Sequence, residues 1–406
     1  MSRRGGLVAL CTAAVVTALG TRISMLAIPW LVLVTTGDPA LMGLIAGAEM
    51  VPYVLSGVLA APLADRVGLR RASVVADAGS ALATVAVAVI PGLGFPALAA
   101  LVAVIGALRG VGDRVKNVLL RPMAEAAGVP IAKATAVFEG LNRTGMLVGA
   151  PLGGLLIFWL GARGAVLVDG GTFAVCAAVV GALVRPGTPR RGRAEPYLAA
   201  LRSGARHLAA SRMLLAMIMV TFLLNLFSQA SVAVFIPVWV SEVLGSPAGL
   251  GLILGAYAGG AVVGSVGVTA LATRLPPYRT FALGAVLGSA PRLLVLGLSH
   301  ELALVLAVTF LSGVATSAVN PILVTLMYER VPVDLHTRVF GLAAALSFAG
   351  LPVGGVLGGL AVAGLGLDPA VLVAGVLSLT LSLLPMLYVR VRHLDHSAQP
   401  PLNAPA

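Results

Sequence analysis

Residues Gly149–Gly154 read GAPLGG, and residues Gly350–Gly355, about 200 positions later, read GLPVGG. Other pairs recur at a similar offset, including Leu63–Arg66 with Leu271–Arg274, Asp38–Ala40 with Ser246–Ala248, and Asn117 with Asn320. Self-similarity at a fixed offset indicates that the chain contains two copies of one structural unit. In a strongly apolar chain, a parallel duplication is typical of a two-halved membrane transporter.

The composition places the chain in a lipid bilayer. Of its 406 residues 59% are hydrophobic and 10% are charged, and the mean hydropathy is +1.03, more than a soluble core of this length can bury. Apolar segments of about 20 residues, enough to cross hydrocarbon as helices, recur between short breaks. They predict an all-α polytopic membrane protein of about twelve transmembrane helices in two pseudo-symmetric six-helix halves. The predicted spans are 7–34, 40–62, 72–90, 96–116, 134–160, 164–184, 213–240, 249–271, 280–299, 301–323, 339–362 and 370–389.

The net charge is +12. The basic residues lie mainly in loops on one side of the predicted membrane protein, and this distribution argues against a nucleic-acid partner. If the N-terminus is cytoplasmic, the basic residues of the loops lie inside, with Arg163 alone outside, as the positive-inside rule requires. We therefore expect a multi-pass protein of the cytoplasmic membrane with both termini inside. The apolar run after Arg4 is too long for a signal peptide and is predicted to be a retained helix.

The same reading divides the chain into four parts. Residues 1–184 are predicted to form an N-terminal six-helix bundle, and residues 213–389 a C-terminal one. The arginine-rich segment 185–212 is predicted to be a cytoplasmic linker with a short amphipathic helix from about Pro196 to Ser211. Residues 390–406 would form a cytoplasmic tail.

Two segments carry a resemblance to a known family. Ala61–Arg71, sequence APLADRVGLRR, resembles the cytoplasmic signature of the major facilitator superfamily, with Ala61 where the pattern has glycine and Leu69 in place of a basic residue. Gly145–Gly154, sequence GMLVGAPLGG, is similar to the family's antiporter motif with its proline displaced by one position. Nearly the whole chain resembles the exporter branch that includes macrolide and siderophore efflux proteins. This resemblance implies a transporter. We expect it to be a monomer.

Each motif also has a physical interpretation. The carboxylate of Asp65, at a helix end, can accept backbone N–H groups of a neighbouring helix and pair with an arginine, which would latch one conformation. The predicted latch consists of Asp65, Arg66, Gly68, Arg70 and Arg71; the alternative is that these arginines only anchor the topology. Small residues let helices approach closely, and proline allows a bend. The predicted helix-packing motif consists of Gly145, Gly149, Pro151, Gly153, Gly154, Gly350, Pro352, Gly354 and Gly355.

Charges inside the spans are costly and mark functional positions. In the duplication Glu49 aligns with Tyr257, Asp65 with Thr273, Arg109 with Ser312 and Asp113 with Thr316, so the ionisable chemistry is concentrated in the N-terminal half. Glu49, deep in span two, is the leading candidate for proton coupling, followed by Asp113 and Glu139. Three pairs are conceivable on spacing: Arg109 with Asp113, Glu139 with Arg143, and Arg22 with Glu49. Arg292 has no partner within reach along the sequence and is interpreted as a snorkelling residue or a structural contact to a carbonyl, with substrate binding as the alternative.

Six polar residues are candidates for lining a substrate cavity: Arg22, Arg109, Arg143, Asn225, Gln229 and Asn320. No catalytic motif, metal-ligand spacing, ATP-binding loop or cofactor motif is present, so neither an enzyme nor a cofactor is predicted. The favoured function is proton-driven export, by alternating access, of a small amphipathic or hydrophobic compound such as a drug, secondary metabolite or siderophore. A lipid flippase or lipid-linked transporter of the same fold, and a non-transporting membrane sensor, remain alternatives.

Overall fold

The computed structural model describes residues 3–184, 205–271, 276–332 and 335–393. Within these ranges the side chains of residue 3 and of residues 57–66, 337–338 and 384–393 are not described. The described chain is helical throughout its regular structure and contains no strand. Residues 205–210 are helical, whereas the rest of the predicted linker helix lies outside the described residues.

The helices follow the predicted spans closely. We number them α1 Arg3–Thr36, α2 Pro39–Val67, α3 Leu69–Val89, α4 Phe95–Ala127, α5 Ile131–Leu183, α6 Arg212–Leu244, α7 Ala248–Leu271, α8 Pro277–Leu298, α9 Leu302–Arg330, α10 His336–Phe348, α11 Gly350–Leu365 and α12 Leu367–His393. Helix α6 includes two π-helical turns, Ser231–Phe235 and Val240–Leu244. Helix α9 is irregular at Ser317 and Ala318.

Twelve membrane crossings result from these helices. Ten helical segments of the described chain are long and apolar enough to span a bilayer, with α10 and α11 together forming one of them. Helix α5 supplies two crossings, since Gly161 has φ 71° and ψ 171° and turns the chain back between α5a (131–160) and α5b (162–183). Helix α12 supplies the last crossing. The predicted fold class, an all-α polytopic protein of two six-helix halves, is confirmed.

We call the end at which α1 begins, α5b ends and α6 begins the linker end, and the other the distal end. Polar breaks at Gly37, Gly92, Gly161, Gly245 and Gly366, all with positive φ, mark the distal end. The N-terminal predictions differ from the structure mainly at α4, which was expected to end at residue 116 and continues to Ala127. Its continuation places Lys116 inside the bundle.

The glycine motifs form close helix contacts. A Cβ at Gly149 of α5a would lie 2.9 Å from the Cβ of Arg22 on α1, and one at Gly354 of α11 would lie 2.0 Å from the carbonyl oxygen of Leu226 on α6. Each motif therefore packs its own half together. The last glycine of each motif faces the other half: a Cβ at Gly154 would lie 2.2 Å from the backbone nitrogen of Gly251 on α7, and one at Gly355 would lie 3.0 Å from Cβ of Ala46 on α2.

The two halves meet at the distal end. One buried hydrophobic cluster combines residues of both halves, such as Trp30 and Met42 with Phe235 and Leu250. The two clusters near the linker end each draw on one half: one contains Leu10, Leu119 and Val180, and the other contains Met217, Phe281 and Leu323. Among the described residues, the halves thus share a core distally and have separate cores towards the linker end. Apolar packing therefore joins the two halves at the distal end.

Candidate functional site: two buried charge clusters

A double ion pair lies at the centre of the N-terminal half. Nη1 of Arg109 on α4 donates to Oε1 of Glu49 on α2, and Nη2 donates to Oδ2 of Asp169 on α5b at 2.5 Å. The three residues are only 2%, 1% and 0% exposed. Helices α2, α4 and α5b are therefore joined through one guanidinium.

Neighbouring groups complete this first cluster. The hydroxyl of Ser24 on α1 donates to Oδ2 of Asp169, and Oγ1 of Thr172 lies 3.2 Å from Oδ1 of the same carboxylate. The guanidinium carbon of Arg109 lies 5.0 Å from the ring centroid of Phe173. The cluster occupies mid-membrane depth, because Glu49 lies ten residues, about 15 Å along a helix, from the distal end of α2.

The charges of the first cluster do not balance. With both carboxylates ionised, one arginine faces two negative charges, and the net charge is −1 in a site shielded from water. An unbalanced buried charge is expensive. One proton on either carboxylate would make the cluster neutral, so the arrangement suits the binding and release of a single proton.

A second cluster lies nearer the linker end. Nζ of Lys116 on α4 donates to Oδ1 of Asp77 on α3 at 2.7 Å and to Oγ1 of Thr17 on α1 at 3.0 Å. Thr17 also lies 3.2 Å from Sγ of Cys176 on α5b. Lys116 and Asp77 are each 2% exposed. This cluster is electrically neutral as it stands.

The two clusters are built on the same three helices at the same spacing. Ser24 and Thr17 on α1, Arg109 and Lys116 on α4, and Asp169 and Cys176 on α5b are each seven residues apart. Seven residues make two helical turns, about 10 Å, and return to the same helix face. The clusters are thus two polar layers through one bundle, and the remaining carboxylate comes from α2 in one layer and from α3 in the other.

Asp113 and Arg22 lie beside the clusters and are half-buried. The hydroxyl of Tyr53 donates to Oδ2 of Asp113 at 3.2 Å, and Nη2 of Arg22 lies 3.5 Å from Sδ of Met146. The proposed pairs of Arg109 with Asp113 and of Arg22 with Glu49 are therefore wrong for this conformation, because Arg109 turns to the two buried carboxylates.

The remaining candidates for proton coupling and for the cavity differ in exposure. Glu139, Arg143 and Asn320 are exposed, and the ion pairs among the described residues do not include Glu139 with Arg143. Asn225 donates to the carbonyl oxygen of Ser347 at 2.9 Å, and Gln229 is buried. Arg109 is buried, and both its Nη atoms contact buried carboxylates.

The latch is described only in part. The side chains of Asp65 and Arg66, and all of Thr273, lie outside the described residues. Gly68 has φ 91°, a conformation that favours glycine, at the start of α3. Arg70 donates to the carbonyl oxygen of Gly181 at the end of α5b, whereas Arg71 is exposed.

The site residues predicted from the sequence include Glu49 and Arg109 but not Asp169, Asp77 or Lys116. The recurrence of polar residues seven apart on three predicted spans was the pattern that could have revealed them. No group of three or more potential metal ligands is found in the part of the chain that the structure describes.

The repeat register also needs a correction. A Cβ at Gly106 would lie 2.1 Å from the carbonyl oxygen of Glu49, and one at Gly313 would lie 2.2 Å from that of Tyr257. These equivalent contacts make Thr316, three residues after Gly313, the counterpart of Arg109. The sequence alignment, which pairs Arg109 with Ser312, is thus one helical turn out of register here.

Comparison with known proteins agrees with this architecture. The sequence model of the Major Facilitator Superfamily matches residues 10–247 and 218–405. The chain is 28% identical over 409 residues to the multidrug efflux pump Tap of Mycolicibacterium fortuitum, covering 98% of this chain and 99% of that relative. It is 26% identical over 413 residues to Tap of Mycobacterium tuberculosis, covering 100% of this chain and 98% of that relative.

Solved structures show the same fold. The nucleoside transporter NupG has a TM-score of 0.77 at 12% identity, covering 95% of this chain and 99% of that chain. A bacterial homologue of the human lysosomal transporter Spinster, in an inward-facing and unoccupied conformation, has a TM-score of 0.76 at 14% identity, covering 98% of this chain and 99% of that chain. The chain belongs to the Major Facilitator Superfamily and is a multi-pass membrane transporter.

Proposed function

We propose that this transporter exports small amphipathic or hydrophobic compounds across the cytoplasmic membrane in exchange for protons. Two observations support the proposal. Relatives that match the chain over nearly its whole length are named multidrug efflux pumps. The buried cluster of Glu49, Arg109 and Asp169 becomes neutral when it binds one proton, and this second observation carries the proposal.

The position of Glu49 connects protonation to conformation. Glu49 lies two residues from Gly47, where a Cβ would lie 2.5 Å from Cγ2 of Val356 on α11, in the other half. Helix α2 thus contributes both to the proton site and to the contact between the halves. Protonation of Glu49 removes its ion pair with Arg109 and loosens α2 from α4, while Asp169 keeps the guanidinium neutralised. Such a difference in interaction between two states is what coupling requires.

The exchange cycle follows from this linkage. With the linker end cytoplasmic, substrate would enter from the cytoplasm between the separate cores of the two halves, and binding of substrate would favour release of the proton there. Closure of the linker end and opening of the distal end would then expose the site outside. There the substrate leaves and the negative cluster takes up a proton, which favours return.

The direct test is proton release by purified protein in a weakly buffered detergent solution. Addition of an amphipathic cationic xanthene dye should release close to one proton per bound dye from the native protein. Glu49→Gln should bind the dye with no proton release. Glu125→Gln, a change to an exposed carboxylate on α4, is the matched control and should release protons as the native protein does. An undiminished signal in Glu49→Gln would contradict the assignment.

Flux measurements separate export from lipid transport. Proteoliposomes with an imposed pH gradient should move the dye at a rate that depends on the gradient, and Glu49→Gln should abolish that dependence. A fluorescent phospholipid serves as the second substrate. Movement of the phospholipid without dye flux would favour a flippase and overturn the proposed exporter.

A further inference from the structure

A buried cation in the C-terminal half lacks a counter-charge. Arg292 on α8 is 5% exposed, and its Nε is buried without a hydrogen-bond partner among the described residues. None of the ion pairs in the described chain includes it. The acidic residues described in this half lie at helix ends, namely Glu242, Glu301, Glu329 and Asp368. A bare charge at this depth is costly, and intramembrane charges mark functional sites.

Snorkelling does not explain Arg292. The nearer end of α8 is the distal one, six residues or about 9 Å away along the helix. Side chains on a helix lean towards its N-terminus, which for α8 is the linker end, so the guanidinium is directed away from the nearer surface. Instead it lies over the ring of Tyr257 on α7, with 5.0 Å between Cζ and the ring centroid.

A second unpartnered polar group faces the same place. A Cβ at Gly288 of α8 would lie 2.0 Å from Oγ1 of Thr316 on α9. Because α8 and α9 are antiparallel, one turn further along α8 places Arg292 opposite Ser312. The hydroxyl of Ser312 is buried and has no hydrogen-bond partner in the described chain. This register brings the unpartnered Nε of Arg292 and the unpartnered hydroxyl of Ser312 to facing positions on two neighbouring helices.

The duplication indicates what is missing. In the N-terminal half, the carboxylate of Glu49 neutralises the buried arginine. At the equivalent position of the C-terminal half stands Tyr257, which offers Arg292 a ring but no negative charge. We propose that Arg292, Ser312 and Tyr257 form a binding site for the carboxylate of a transported compound, whose negative charge takes the place that Glu49 takes in the other half. This inference names a substrate class and rests on the proposed export function.

The test uses two ligands that differ only in charge: a xanthene dye with a free carboxylate and its methyl ester. Binding is measured by fluorescence anisotropy with purified native protein in detergent, without a proton gradient. The native protein should bind the acid at least about tenfold more tightly than the ester, since hydrogen bonds to charged groups contribute more than neutral ones. Equal affinities, or tighter binding of the ester, would overturn the proposal without any variant.

Substitutions then locate the site. Arg292→Gln should weaken binding of the acid by about tenfold or more and leave binding of the ester within about twofold, while Arg292→Lys should restore part of the preference. Arg163→Gln, a change at an exposed arginine, is the control and should keep the native ratio. An unchanged ratio in folded Arg292→Gln contradicts the proposal, as does displacement of the acid by chloride at millimolar concentration, which would indicate an inorganic anion site.

The outcome is independent of proton coupling. Failure of Glu49→Gln to affect proton release would remove the proposed exchange mechanism but leave the preference for the acid measurable. Conversely, loss of that preference with intact proton release would remove only the carboxylate site.

Discussion

Arg109 and Lys116 lie two turns apart on one face of α4, and each is neutralised by carboxylates from other helices of the same half. Arg109 contacts two carboxylates, whereas Lys116 contacts one. This difference gives the two layers different tasks. The layer around Arg109, which we call the upper layer, can exchange a proton. The layer around Lys116, the lower layer, is electrically balanced and holds α1, α3 and α4 together.

The upper layer should tolerate the loss of either carboxylate but not of both. Glu49→Gln and Asp169→Asn each leave Arg109 with one ionised partner, so each variant should fold and lose substrate-linked proton release. The double variant leaves a buried guanidinium uncompensated, at a cost of about 3–5 kcal/mol. The loss of stability is measured by thermal unfolding and by the yield of monodisperse protein on size-exclusion chromatography. A double variant as stable as the singles would show that Arg109 does not depend on these partners.

The lower layer should behave as a structural ion pair. Lys116→Met leaves Asp77 buried and unpaired and should lower the free energy of unfolding by about 3–5 kcal/mol. Adding Asp77→Asn should recover much of that loss, because no buried charge then remains. The comparison is Arg121→Met, which breaks an exposed pair with Glu125 and should change stability by about 0.5 kcal/mol or less. If Asp77→Asn brings no recovery, unpaired charge is not the cause of the loss.

The contact between α5a and α7 should control the closed distal end. Gly154→Val introduces a side chain where a Cβ alone would lie 2.2 Å from the backbone of Gly251, so the distal ends of the halves should separate. Spin labels at exposed Arg163 and Glu301, in a background with Cys11 and Cys176 replaced by alanine, should report longer distances. Gly140→Val, at a position with nothing within 4 Å of its Cβ, should leave them unchanged. If the distances in Gly154→Val equal those of the native protein, this contact does not hold the distal ends of the two halves together.

The orientation of the chain remains a prediction of its charge distribution. Single cysteines at Gly187 and Ala398 should be shielded from an impermeant external thiol reagent in intact cells, and one at Arg163 should react. Arg163 serves better than Gly161, whose φ of 71° disfavours a side chain. The native cysteines are buried and should stay silent. Labelling of the cysteine at position 187 from outside would contradict the predicted orientation.

The sequence by itself determined the spans, their duplication and the family. Hydrophobic length is a local property, so the crossings could be placed before any contact was known. The ends of α4 and α9 are the exceptions, because both helices continue beyond the predicted spans. The glycine motifs were visible for the same reason, because they are contiguous. The concentration of carboxylates in the first half, including Glu49, could also be read from the chain.

Only the tertiary structure decided which charges meet. The choice between Asp113 and the pair of Glu49 and Asp169 as partners of Arg109 depends on the rotation of α4 relative to α2 and α5b, which no spacing along one helix contains. The same holds for Lys116, which is the last residue of the predicted fourth span. It becomes a buried ion-pair partner because α4 continues to Ala127. Buried charges pair across helices because the bundle excludes water, and that exclusion exists only once the helices have packed.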